Sequence, residues 1–125
     1  MRKHHIHVVN DLWPGTPLIV HCKSKDDDLG EHSLDYQEAF SWHFRENFLG
    51  TTLFWCFMKW KDGNGNWAYE NHDVFKTCES MRIGCRSDLT WSAQSEGLYL
   101  LHKNGKDLWY KWQYGTQKSR YLRNN

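Results

Sequence analysis

The stretch TLFWCFMKW, residues 52–60, decides the fold of this chain. Alternate side chains of a β-strand point to opposite faces. One face would hold four largely apolar side chains, those of Phe54, Cys56, Met58 and Trp60. The other would hold Leu53, Trp55, Phe57 and Lys59. Two apolar faces predict a strand buried in the middle of a sheet, and the aromatic content and short length favour that strand over a buried helix.

Short strands with turn signals between them extend on both sides of this stretch. Apolar and polar residues alternate over residues 18–23 and 40–45, and residues 25–31 have the composition of a charged loop. The sequences DGNG at 62–65 and NG at 104–105 are typical of hairpin turns. Residues 82–86 and 108–114 predict two further strands. We predict an all-β protein, an antiparallel β-sandwich of about eight strands.

Composition limits the protein to a few classes. A chain of 125 residues predicts one domain, 1–125, with its core over residues 6–115 and a polar, basic tail over 116–125 that we expect to fray. Eight Trp, six Tyr and six Phe predict an aromatic core. A net charge of +1 argues against nucleic-acid binding, and no apolar run is long enough to span a membrane. We expect a monomer that needs no cofactor.

The four cysteines indicate where the protein is located. An even number without a CxxC pair fits two disulfides better than a zinc site, although four buried free thiols remain an alternative. Disulfides form in oxidising surroundings, so we expect a secreted, extracellular protein. The first residues contain no apolar run typical of a signal peptide. We therefore expect a mature form from which the signal peptide has been removed.

Three segments together resemble a known family. They are VHCKSKDDDLG at 20–30, FSWHFREN at 40–47 and TLFWC at 52–56, and the similarity extends over about residues 6–114. In this order and spacing they resemble the plant self-incompatibility proteins, the S-proteins of poppy stigma and their homologues. The resemblance implies a small, secreted, cysteine-paired β-sandwich without catalytic activity. It also implies an extracellular ligand that a membrane receptor recognises.

Four cysteines allow three pairings. Cys56 and Cys78 flank one predicted hairpin and its exit, so we predict that they pair and that Cys22 pairs with Cys85. We assign both bridges a purely structural role.

Metal binding is the alternative for two groups of residues. Asp26, Asp27 and Asp28 offer oxygens that Ca²⁺ prefers, but a solvated, hydrogen-bonded loop is the commoner outcome. His5 and His7 would share one strand face, but a third ligand at a useful spacing is missing. We therefore predict no metal site.

No catalytic motif such as a nucleophile elbow or a P-loop occurs, so we predict a binding protein rather than an enzyme. Recognition would lie on the loops at 10–16, 24–32, 61–66 and 103–106, because loops vary without unfolding the scaffold. The residues expected to contact a partner are Asp26, Asp27, Asp28, Lys61, Asp62, Asn64, Asn66, Lys103, Asn104 and Lys106. The expected partner is a plant membrane receptor or extracellular protein. The alternative partner is a cell-wall glycan, which the exposed indoles of Trp13, Trp67 and Trp109 would stack on.

Overall fold

The structure of the protein is a computed structural model that describes residues 3–47, 49–77 and 87–115. The described residues form ten β-strands and no helix. The strands are β1 Lys3–Asn10, β2 Leu18–Ser24, β3 Asp28–Leu34, β4 Ala39–Arg45, β5 Leu53–Lys61, β6 Trp67–Lys76, β7 Asp88–Gln94, β8 Gly97–His102, β9 Gly105–Lys111 and β10 Gln113–Gly115. The all-β prediction is confirmed, with more strands than the eight predicted.

The strands form two five-stranded sheets. The first has the order β4-β1-β7-β8-β9, and the second has the order β10-β6-β5-β2-β3. Neighbouring strands are antiparallel except for β1 and β7, which run parallel from His5 opposite Asp88 to Asn10 opposite Ala93. The expectation of purely antiparallel sheets was therefore wrong at this one pair.

Side chains of both sheets meet in one core. β1 shows the period of two that a half-buried strand requires, with Ile6 and Val8 fully buried. Between the sheets, the ring centroids of Phe44 and Phe54 lie 4.6 Å apart. The indole Nε1 of Trp91 donates a hydrogen bond to the carbonyl oxygen of Val74 at 3.0 Å, which satisfies a polar atom that burial would otherwise leave unpaired.

β5 occupies the place that its sequence predicted. It is the third of five strands, between β6 and β2, and its Phe54, Cys56, Met58 and Trp60 are all at most 4% exposed. Trp55 and Lys59 point to the opposite face, yet they are only 9% and 7% exposed. The Lys59 ammonium lies 4.6 Å from the ring centroid of Trp67, and this cation–π contact offsets part of the cost of removing its charge from water.

The disulfide prediction was wrong. Cys22 is bonded to Cys56, not to Cys85, and Cys56 is therefore not bonded to Cys78. The physical reason is strand order: β2 and β5 are antiparallel neighbours, and Cys22 stands directly opposite Cys56 with 4.0 Å between the Cα atoms. Cys78 and Cys85 lie outside the described residues, as does the strand predicted at 82–86.

Two predicted boundaries were also wrong. The expected loop at 25–31 is shorter, because β3 begins at Asp28 and pairs with β2. The expected single strand at 108–114 is two strands, because Trp112 separates β9 in the first sheet from β10 in the second. Trp112 is 7% exposed, and its Nε1 donates to the carbonyl oxygen of Gln94 at 2.6 Å.

Candidate functional site

The predicted recognition loops fall at opposite ends of the two sheets. Strand directions place the connections β1–β2 and β5–β6 at one end, which we call the tryptophan end after Trp13 and Trp67. The connections β2–β3, β4–β5 and β8–β9 lie at the other end, which we call the aspartate end after Asp26, Asp27 and Asp28. The four loops therefore cannot form one continuous contact surface.

At the aspartate end, β2 turns tightly into β3. The Ser24 amide donates to the Asp27 carbonyl oxygen at 2.7 Å, and the Asp27 amide donates to the Ser24 hydroxyl at 3.0 Å. These two bonds close the turn over residues 24–27 and leave Asp26 and Asp27 exposed. Their side chains are accordingly presented to solvent on an ordered turn.

Asp28 differs from its two neighbours. It stands at the start of β3, where its Oδ1 accepts from His21 Nε2 at 2.5 Å and from the Gly30 amide at 2.9 Å. The hydrogen bond from His21, followed by that from Gly30, lowers the pKa of the Asp28 carboxyl below its ordinary value. Asp28 is exposed like the two preceding residues, but its hydrogen bonds to β2 and β3 hold its carboxylate in place.

The β4–β5 connection brings an apolar residue to the same end. Asn47 fastens this loop: its amide donates to the Thr52 hydroxyl at 2.7 Å, and its Oδ1 accepts from the Thr51 amide at 3.0 Å. Gly50 adopts a φ of +69°, a backbone angle that residues other than glycine rarely adopt. The loop holds Leu49 with 84% of its surface exposed, the most among the exposed large apolar residues of the described chain.

A cleft separates these two loops. It has a volume of about 460 Å³ and runs between the 24–27 turn and the 45–55 segment. Phe44, Phe54 and Trp55 contribute apolar surface to it, and Leu49 stands at its margin. On the other side of the turn, a second cleft of about 420 Å³ also borders Trp55. The aspartate end thus combines carboxylates, one exposed leucine and recessed aromatic surface.

The tryptophan end holds the β5–β6 turn that the sequence predicted. Asp62 Oδ1 accepts from the amides of Asn64 and Asn66, at 2.9 and 2.8 Å, and Gly65 adopts a φ of +82°. Asp62 therefore shapes the turn, while Asn64 and Asn66 lie at the surface. A cleft of about 520 Å³ lies between this turn and the β1–β2 connection, with Trp13 and Trp67 among its lining residues.

The β8–β9 turn is shorter than the predicted 103–106 loop. Lys103 and Asn104 are exposed at the aspartate end, as expected for loop residues. Lys106 instead belongs to β9, where its ammonium donates to Gln94 Oε1 at 2.7 Å and lies 4.6 Å from the ring centroid of Tyr99. Its ammonium group thus already contacts two side chains of the protein.

Neither a metal centre nor a membrane span is found in the ranges 3–47, 49–77 and 87–115. Within them, no three His, Cys, Asp or Glu side chains are grouped closely enough to hold a metal ion. The same ranges contain no helix of the length and hydropathy that crossing a membrane requires.

Comparison with known proteins identifies the family. The family model for plant self-incompatibility protein S1 matches residues 5–112. This chain belongs to that family. S-protein homolog 1 of Arabidopsis thaliana is 42% identical over 112 residues, covering 86% of this chain and 70% of the relative. S-protein homolog 74 of the same plant is 41% identical with the same coverage.

A solved structure of a Self-Incompatibility Protein Homologue has the same fold. It superposes with a TM-score of 0.66 and 18% identity, covering 90% of this chain and 96% of the solved one. The family consists of small, highly stable, secreted plant proteins. The resemblance drawn from the sequence is therefore confirmed, and the protein is a secreted, extracellular member of the S-protein homologues.

Sequence reasoning missed the β4–β5 loop of this S-protein homologue. The segment NFLGTT at 47–52 places apolar residues beside a glycine, between an asparagine and two threonines that can fasten a turn. That pattern was available as a signal for an exposed apolar loop. The segment was not among the predicted recognition loops, which were 10–16, 24–32, 61–66 and 103–106.

Proposed function

We propose that this S-protein homologue is a secreted protein ligand that a membrane receptor recognises through the aspartate end. The observation that carries the proposal is the exposure of Leu49, 84%, on a loop that Asn47 fastens with hydrogen bonds. Leu49 is continuous with the aromatic surface of the cleft beside it, and contiguous exposed apolar surface marks contact sites on many proteins.

The surroundings of Leu49 support a protein partner. The cleft beside it exposes aromatic surface, while Asp26 and Asp27 add carboxylates on the adjacent turn. An apolar centre with a polar margin is the usual composition of a protein–protein interface. We propose that the receptor inserts an apolar side chain into this cleft and places basic groups near the turn.

The scaffold that we propose is a single domain, 1–125, monomeric and without catalytic activity. The one core shared by both sheets supports a single β-sandwich. Because Cys22 and Cys56 are already bonded, the second disulfide that we propose joins Cys78 to Cys85. Two bridges would suit a small domain in an oxidising compartment.

The variant Leu49→Asp tests the proposed contact. We expect saturable binding of the labelled protein to plant plasma-membrane vesicles to weaken about 30-fold, as for an interface residue worth about 2 kcal/mol. Leu49→Met, which keeps the apolar surface, should bind nearly as well as the wild type. Binding is measured by vesicle sedimentation, with protein-free liposomes as the blank.

The control is Tyr36→Asp, because Tyr36 is 41% exposed in the β3–β4 turn, at the tryptophan end. This variant should bind normally. Equal loss in the two Asp variants, or the absence of saturable binding by the wild type, would contradict a receptor contact at Leu49.

A further inference from the structure

We propose that the cleft at the tryptophan end is a separate binding site for an anionic saccharide. The cleft has a volume of about 520 Å³, which is in the range of small-molecule sites. It lies at the opposite end of the sheets from Leu49, so this inference does not rest on the proposed receptor contact. Three features of its lining carry the inference: two indole rings, one lysine and two turns that contain glycine.

The two indoles supply flat apolar walls. Trp13 is 38% exposed and is held edge-on against the buried Trp60, with 5.4 Å between ring centroids. Trp67 borders the cleft from the start of β6. The C–H bonds on one face of a pyranose ring form an apolar surface that stacks on an indole, while its hydroxyls remain in water. Large rings that bury apolar surface beside water suit this kind of ligand.

Positive charge converges on the same wall. The ammonium of Lys61 lies 5.3 Å from the ring centroid of Trp67, and that of Lys59 lies 4.6 Å from it. Lys61 is exposed, lines the cleft and has no ion pair with an acid in the described part of the chain. A carboxylate on a sugar stacked against Trp67 would therefore find a charge-assisted hydrogen-bond donor.

One carboxylate also lines the cleft, but the turn holds it in place. Asp62 borders the cleft, and its Oδ1 already accepts two backbone amides of the β5–β6 turn. These bonds hold the Asp62 carboxylate against the turn, and in the described part of the chain it forms no ion pair with Lys61. Lys61 and the two indoles together favour a ligand that is both ring-shaped and acidic.

An acidic peptide is the competing ligand. A peptide would supply carboxylates to Lys61 but no rigid flat ring for Trp13 and Trp67. Gly15 and Gly63 leave open space in the two turns, since a side-chain carbon added at either position would meet no atom within 4 Å. A broad cleft between two rings suits a saccharide ring better than an extended chain, so we assign the site to the saccharide.

The test is titration of the intact, oxidised protein with a galacturonic-acid decamer. Calorimetry and tryptophan fluorescence measure the binding. The probes for comparison are a neutral glucose decamer and a glutamate decamer. We expect saturable binding of the galacturonate decamer alone, weakened by added salt. Lys61→Ala and Trp67→Ala should each weaken it about tenfold, the size expected for one charge or stacking contact.

Two controls match these variants. Lys103→Ala removes an exposed lysine at the aspartate end, and Trp109→Ala removes an indole that does not line the cleft. Both should bind the galacturonate decamer as the wild type does. If Trp67→Ala does not fold, Lys61→Glu decides the question, because it changes only an exposed side chain.

Three results would overturn the inference: no binding of the galacturonate decamer, equal binding of the glutamate decamer, or an equal loss in Lys61→Ala and Lys103→Ala. None of them bears on the receptor contact. The Leu49 variants test that contact with a different partner and at the other end of the protein.

Discussion

Gly97 lies in β8 opposite Lys111, at the point where β9 comes closest to it. A side-chain carbon at this position would collide with the carbonyl oxygen of Tyr110 and would lie 2.8 Å from Cδ1 of Leu108. The Tyr110 carbonyl belongs to the backbone and cannot move without disturbing the pairing of the two strands. Glycine is required here because the backbone of β9 comes so close, not because of an unusual backbone angle.

We expect Gly97→Ala to lower the free energy of unfolding by about 1–3 kcal/mol or more, since overpacking forces the backbone to shift. Urea denaturation followed by tryptophan fluorescence measures the change. Gly63→Ala is the matched control, because open space surrounds that position and its change should stay within about 0.5 kcal/mol. A Gly97→Ala variant as stable as the wild type would show that β8 and β9 separate easily.

Single residues show which contacts the local sequence predicts and which it does not. The pattern around Asp62 predicted its turn, because the turn is stabilised by contacts within five residues. Lys106 was assigned to the 103–106 loop but belongs to β9, and its contact with Gln94, twelve positions away, is not visible in the local sequence. The exposure of Leu49 depends on the folded loop around it, and the periodicity of a strand or helix does not predict it.

At the scale of elements, the bridge between β2 and β5 joins two strands of one sheet. The cysteines are 34 positions apart in sequence, and the link restricts the unfolded chain over that whole loop. We expect Cys22→Ala/Cys56→Ala to lower the free energy of unfolding by about 2–4 kcal/mol, measured by chemical denaturation.

Mass spectrometry of an unreduced digest gives the matching covalent test. It should recover Cys22 linked to Cys56 and, under our proposal, Cys78 linked to Cys85. Recovery of a Cys22–Cys85 peptide would mean that strand neighbours do not determine the pairing in this protein.

The elements also explain which predictions succeeded. β5 is apolar on both faces and the 61–66 turn is rich in glycine and asparagine, so both were visible locally. The disulfide partner was not visible, because it depends on β2 lying beside β5. β3 was taken for loop because Asp28, Gly30 and Glu31 are poor strand formers, and its pairing with β2 overrides that preference.

At the scale of the whole molecule, the two candidate surfaces are separated by the length of a strand. β5 spans nine residues between the two ends, or about 30 Å. Substitutions this far apart without shared contacts normally act independently.

We therefore expect Leu49→Asp/Lys61→Glu to show the sum of the two single effects. Membrane binding should match that of Leu49→Asp, and galacturonate binding should match that of Lys61→Glu. Titrations of all four proteins give the coupling energy, which should stay below about 0.5 kcal/mol. A larger coupling would indicate that the sheets transmit changes between the ends.

The parallel pairing of β1 and β7 has a consequence for biosynthesis. β1 is synthesised well before its neighbour β7, whose paired residues lie more than eighty positions further along the chain. Until then, one side of β1 keeps its amides and carbonyls unpaired, and open strand edges promote aggregation. Contacts so distant in sequence also slow folding. A nascent chain of this protein thus depends on protection during secretion until β7 has been translated.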